Sequence, residues 1–307
     1  MNTRFLETFV WLATLKSFRL TADKLHATQG AVSSRIASLE QDLGVRLFDR
    51  GSKEVTLTRD GSKALKYAER ILSLAEEMRS DLGDPDRVSG IVRIGVIESI
   101  VHSWLSGLIT RLGREFPNLT IELTSDTSLK LREQFLAGLL DIILQTDVLA
   151  VEHVSNVELG ELSMSWVSSP SLGLSGEALE DTDLAAFPIV SFSRGSGPHR
   201  SLENYFRNVP SGPPKINCVT SVAAIIKLTV DGFGIAVLPR AIIRPELENG
   251  QLALLNVSRD FPDLELVGSY RAGVDSLLIE RIASMSQETA REFARKSGRD
   301  VATFGAS

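Results

Sequence analysis

The chain lacks most of what enzymes and secreted proteins depend on. Its 307 residues include one cysteine, Cys218. No intrachain disulfide can form, so a reducing, cytoplasmic setting is expected, with Cys218 packed as a small hydrophobe. The four histidines, His26, His102, His153 and His199, are far apart and have no metal-ligand spacing among themselves or to Cys218. No metal and no cofactor is expected. No run approaches the ~20 apolar residues of a membrane helix, so no membrane partner is expected. The first twenty residues, broken by Glu7 and other polar positions, lack the apolar core of a secretory signal. Asp231-Gly232-Phe233-Gly234 leads from a helix into a strand, the reverse of a dinucleotide fingerprint. A Gly-Lys-Ser/Thr phosphate loop and a G-x-S-x-G elbow are also missing. Nothing selects a catalytic set, and the chain is not expected to be an enzyme.

What is present divides unevenly. Hydrophobic residues make up 43% and charged residues 23%, enough for real cores in a chain long enough for two domains. The net charge of -6 hides an asymmetry: residues 1–66 hold 11 Lys and Arg against 7 Asp and Glu, and the rest hold 22 against 32. A head at +4 on a body at -10 suits a head that faces phosphates.

The head reads as an all-α winged helix-turn-helix over residues 1–58. Phe5, Phe9 and Leu12 share one face of a first helix. Ser17 to Leu20 breaks it, and Thr21 to His26 forms a short second helix with Ala22 and Leu25 inward. Thr28 can cap a third helix running from Gln29 to Leu43, with Val32, Ile36 and Leu39 buried and Gly44 as its C-cap. The opposite face offers Gln29, Ser33, Ser34 and Arg35, short hydrogen-bonding groups and one guanidinium suited to base edges and phosphates. Two short strands follow around Gly51-Ser52-Lys53, a wing that would carry Arg50 and Lys53 to the DNA backbone. Thr28 and Gly30, at the start of the recognition helix, complete the expected DNA-binding set.

Residues 59–87 read as a connector. From Arg59 to Leu82, started by Thr58 or Asp60, Ala64, Ala68, Ile71, Ala75, Met78 and Leu82 recur at spacings of three and four. This is a heptad seam, read here as dimerising; an amphipathic helix lying on its own domain is the alternative. Gly83-Asp84-Pro85-Asp86 then forms a hinge.

The body, 88–307, alternates strands with helices, which implies parallel sheets with crossover helices. Strands are expected at Ile91–Val96, Leu119–Leu123, 141–144, Met164–Ser168, Ile189–Phe192, Lys215–Val219, Ile235–Leu238 and Leu264–Arg271, with a closing helix at Ser276–Lys296. The pattern suggests two α/β lobes, one of about 88–160 plus 269–307 and the other of about 161–268. Between them lies a cleft faced by strand ends and helix N-termini.

The sequence resembles the LysR-type bacterial transcriptional regulators. In the head the resemblance rests on Phe5, Phe9, Ser17-Phe18, Ala22, Leu25, Gln29, Ala31-Val32-Ser33, Ile36, Leu39-Glu40, Leu43-Gly44, Leu47-Phe48, Arg50, Leu57-Thr58 and Gly61. In the body it rests on Leu119, Leu139, Asp141, Phe187-Pro188, Gly232, Gly234-Ile235 and Leu238-Pro239. Gly30, Thr21 and Ser34-Arg35 depart from the family pattern, the first standing where a proline is usual. The resemblance implies a two-lobed effector domain like the periplasmic solute-binding proteins, paired linker helices in a dimer or tetramer, operator DNA as partner, and RNA polymerase as a further one. It also makes the inter-lobe cleft an effector site. Ser99, Ile100, Thr127, Ser128, Arg194, Ser196, Thr220 and Ser221 would offer hydroxyls and amides to a small acidic metabolite, with His102, Asp147 and Phe192 tuning specificity. Glu98 and Asp147 would oppose a second anionic group on that ligand, favouring an amine or hydroxyl there. The alternatives are a binding protein or enzyme on a solute-binding fold, and a DNA-binding protein without effector control.

Overall fold

The computed structural model of the chain describes residues 2–49, 55–82, 88–174, 176, 178–207, 209, 212, 214–271 and 276–305, apart from the side chains of 73, 74, 76–82 and 276. The head begins with α1 (Thr3–Leu15), started by Asn2, whose side chain accepts from the Arg4 amide. Next is α2 (Phe18–Lys24), three residues earlier than the expected Thr21, because Ser17 is its N-cap and accepts from Leu20 N. The third helix, α3 (Gln29–Leu43), ends on Gly44 in the left-handed region at φ 69°. Phe9, Leu12, Val32, Leu39 and Leu47 are fully buried, each stabilising the head by about 1.5–3 kcal/mol. The wing is anchored where Phe48 bridges Leu57 and Asp49 N donates to Thr56 O at 2.9 Å. Arg50 and Lys53 lie outside the described residues, as does the expected hinge at 83–86.

The connector is α4 (Arg59–Leu82). Thr58 starts it, its hydroxyl accepting from Gly61 N at 2.8 Å. The expected seam divides. Ala68 is 1% exposed and, with Leu65, Leu72 and the half-buried Ala64, packs into the head's own core. Ala68 is therefore spent on packing within the head, while Ala64 is half-buried against it. Ile71 is 37% exposed and Ala75 half-buried, so both remain accessible. The side chains of Met78 and Leu82 lie outside the description.

Lobe one opens with β1 (Gly90–Val96), α5 (Glu98–Val101), α6 (Leu105–Glu115), β2 (Leu119–Ser125), α7 (Ser128–Leu136), β3 (Ile142–Gln145) and β4 (Val154–Leu162). Lobe two follows with β5 (Met164–Ser168), α8 (Asp181–Ala185), β6 (Ile189–Ser191), α9 (Gly197–Tyr205), β7 (Ile216–Cys218), α10 (Val222–Val230), β8 (Ile235–Pro239), α11 (Arg244–Glu248) and β9 (Ala253–Leu254). The chain then returns through β10 (Leu264–Arg271), α12 (Ser276–Ser297) and β11 (Ala302–Thr303).

The sheets are mixed rather than parallel. The first has the order β11-β4-β10-β3-β1-β2 and the second β7-β6-β8-β5-β9. Among the named strands, parallel pairing joins β1 to β2 and β3, and β6 to β7 and β8. The long crossing strands β4 and β10 pair antiparallel to each other, and β10 also to β3. Since β10 pairs with the first sheet from Leu264 onward, the return to lobe one precedes the expected residue 269. Cys218 is exposed at the end of β7, not packed.

Candidate DNA-reading face and inter-lobe site

Helix α3 sorts its residues by angle. Val32, Ile36 and Leu39 point into the head; Gly30 and Ser34 are exposed on the far side with Ser33 beside them, while Thr28 and Gln29 are exposed at the helix start. Thr28 Oγ1 accepts from Ala31 N at 3.1 Å, so its first duty is to cap the helix. Arg35 departs from the expected face. At about 100° per residue it flanks the buried stripe, and its Nη1 donates to Thr8 Oγ1 of α1 at 3.3 Å. Glu40 also lies on α3. Its Oε1 accepts from Leu47 N at 2.7 Å and Phe48 N at 3.3 Å, fixing the start of the wing to α3. The head thus offers a short row of small polar side chains with backbone amides beside them, suited to a groove.

The lobes close on a cavity of about 470 Å³. Of the expected effector residues, Ser99, Thr127, Ser128, Phe192, Ser196, Thr220 and Ser221 line it. Ile100 does not: it is fully buried in lobe one. His102 is exposed beyond the end of α5, and Arg194 is exposed outside the lining. Asp147 is off the lining too, its carboxylate engaged by Arg200 Nη2 at 2.7 Å and Thr146 Oγ1 at 3.3 Å. Lining residues not expected as contacts include Asp126 and Lys130, which flank Thr127 and Ser128, and Thr146 and Leu264, which come from other elements.

Local capping explains part of the lining. Thr127 Oγ1 accepts from Lys130 N at 3.5 Å, and Ser196 Oγ from His199 N at 3.3 Å. Ser221 heads α10 but makes no side-chain cap. That place is taken from the other lobe: Val222 N donates to Glu98 Oε2. Arg200 on α9 and Asp147 after β3 make a second tie across the cleft. Ser99 is 3% exposed, lines the cavity, and its hydroxyl has no hydrogen-bond partner among the described residues. No group of His, Cys, Asp and Glu among the described residues could hold a metal ion, and no described helix is long and apolar enough to cross a membrane.

A helix-turn-helix head, a long connecting helix and a two-lobed α/β body around a cleft define a DNA-binding regulator with a sensor domain. Two families match this chain. "Bacterial regulatory helix-turn-helix protein, lysR family" covers residues 3–62, and "LysR substrate binding domain" covers residues 85–291. The chain belongs to the LysR-type transcriptional regulators and is a regulator rather than an enzyme. It is 29% identical over 266 residues to YwqM of Bacillus subtilis, an uncharacterised HTH-type regulator, covering 85% of this chain and 90% of that one. It is 28% identical over 262 residues to the regulator GltR of the same organism, covering 84% and 86%. Among solved structures it is similar to ArgP of Mycobacterium tuberculosis (TM-score 0.64, 21% identity, 94% and 97% covered). It is also similar to full-length LysG of Corynebacterium glutamicum with bound effector Arg (TM-score 0.62, 20% identity, 95% and 99% covered).

Proposed function

We propose that the chain is a one-component switch. A small carboxylate-bearing metabolite enters the inter-lobe cavity, and its occupancy changes how paired heads meet operator DNA. The observation that carries this reading is the cavity itself, which Ser99 of lobe one and the start of α7 both line. The amides of Ser128 and Leu129 are the first of that helix and have no carbonyl within it to donate to, which suits an anion. Ligand that prefers one lobe closure shifts the population of that closure. Pairing of two chains would place two heads on a two-fold site, with Ile71 and Ala75 as the accessible seam positions. The cytoplasm, where operator DNA resides, is the proposed location, with RNA polymerase as a further partner there.

The test is affinity purification of fragmented genomic DNA on the full chain, followed by sequencing. The reading expects a few enriched sites with two-fold symmetry, and altered base preference for Gln29→Ala and Ser33→Ala. Uniform recovery of all fragments would overturn it.

A further inference from the structure

Among the described residues lining the cavity, Glu98 is the acidic side chain that reaches from one lobe to the other. It begins α5 in lobe one, yet its Oε2 accepts from Val222 N at the start of α10 in lobe two. Ser221 leaves that helix start without a side-chain cap, so the lobe-one carboxylate is its cap. The second oxygen, Oε1, has no partner among the described residues and Glu98 lines the cavity. The other acid in the lining, Asp126, is answered on its own element: Oδ1 accepts from Thr127 N at 2.8 Å, and Lys130 Nζ lies 3.7 Å from Oδ2. Asp147 is likewise answered, by Arg200.

Among the described lining residues, Glu98 is therefore the anionic group with no compensating cation. The start of α7 and the Ser99 hydroxyl form an anion-accepting end, and Glu98 Oε1 forms a cation-accepting end. Desolvating a second anion beside Glu98 is costly, whereas an ammonium there makes a charge-assisted hydrogen bond. We infer that Glu98 selects a zwitterionic ligand, a free amino acid, with its carboxylate at Ser128 and its ammonium on Glu98. This rests on the cleft reading above and sharpens its ligand class. An ammonium on Oε1 leaves Oε2 on the Val222 amide, so the bound ligand reinforces the closed lobes. A dicarboxylate would compete with Glu98 for that amide and repel it.

The experiment is a thermal-shift titration of the full chain with each proteinogenic L-amino acid, the carboxylic acid lacking its amine, and the amine lacking its carboxylate. Ligand that binds only the folded chain raises Tm with concentration. At least one amino acid is expected to raise Tm, with its two truncated partners silent at tenfold higher concentration. Glu98→Gln keeps an oxygen to accept from Val222 N but loses the charge. It should weaken that amino acid roughly tenfold or more and improve binding of the amine-free carboxylate. Equal shifts from the carboxylate and the amino acid in the parent chain would overturn the proposal while leaving the cleft in place. So would no shift with any amino acid, or an unchanged response in Glu98→Gln. An amino-acid shift that survives Ser128→Phe, which puts bulk into the cavity, would instead remove the cleft reading itself.

Discussion

Lys24 Nζ meets Asp141 Oδ1 at 2.6 Å, joining α2 of the head to the start of β3 in lobe one. The two side chains are 13% and 14% exposed, so the pair is largely shielded. Asp141 Oδ2 accepts from the Arg93 amide of β1 at 2.8 Å, which seats the carboxylate in the sheet. The Lys24 ammonium also lies 4.7 Å from the Trp11 ring, and the Arg271 guanidinium lies 5.8 Å from that ring and 4.4 Å from Phe135. Burial pushes Arg271 down to about 10, against the pull of Asp141. One lobe-one carboxylate therefore answers two cations, and one of these belongs to the head.

Breaking this pair should release the head. Asp141→Asn leaves Lys24 and Arg271 shielded without a counter-charge, and losing one partner of a buried pair costs about 3–5 kcal/mol. Lys24→Met should cost less, because Arg271 still faces Asp141. A double-mutant cycle by urea denaturation should give a Lys24–Asp141 coupling above ~1 kcal/mol. Zero coupling would mean that head and body do not meet this way in solution.

Two glycines near the head's turns should respond oppositely to alanine. A Cβ on Gly61 would fall onto the Leu47 carbonyl, so Gly61→Ala must push α4 away from the wing and should destabilise the head by more than 1 kcal/mol, on the order of an overpacked core. At Gly30 the nearest atom to a Cβ is Thr28 Oγ1 at 3.9 Å, so there is room. Gly30→Ala should stabilise α3 by about 0.5–1 kcal/mol. Tm of the two variants checks both signs.

Much of the head was legible because its signals are local. Val32, Ile36 and Leu39, with Thr28 and Gly44 at the ends, define α3 without help from elsewhere. Ser17 is as local a cap as Thr28 but was read as a break, which moved α2. Periodicity in α4 reports an apolar stripe, not its partner; for Ala68 that partner is the head's own core. The body lost more. β4, with sequence VSNVELGEL, has no continuous apolar run and was missed, although it pairs antiparallel with β10 along most of its length. In the cleft, helix-start hydroxyls were recognisable as a type. Asp147 was not recognisably spent, because its partner Arg200 lies 53 residues away on the other lobe.

The recognition face should separate stability from specificity. Thr28→Ala removes the cap on Ala31 N and should cost about 1 kcal/mol. Gln29→Ala and Ser33→Ala, both exposed, should change stability by less than ~0.5 kcal/mol while altering base preference. Chemical denaturation beside DNA selection distinguishes the two. A stability loss at Ser33 equal to that at Thr28 would contradict its placement.

Glu69 gives a pH signature. Burial raises its pKa from the ordinary carboxylate value, and His153, whose Nδ1 lies 3.6 Å away, and Lys66 only partly oppose this. A carboxyl raised on folding adds stability that is full below its unfolded pKa and lost as pH rises through the folded one. At pH 8 the ionised Glu69 is therefore a net cost. Glu69→Gln should melt higher than the parent at pH 8, with the gap closing as pH falls toward 4. A variant less stable than the parent at pH 8 would show that the His153 pair outweighs burial.

The most direct test of the account is fluorescence anisotropy of the full chain on a recovered DNA site, with and without the amino acid that stabilises the cleft. The account predicts nanomolar or tighter, salt-sensitive binding that fails on a scrambled site. It also predicts a roughly fivefold or larger change in affinity with ligand, present in the parent chain and absent in Ser128→Phe. Equal binding to scrambled DNA, or the same ligand response in Ser128→Phe, would contradict it.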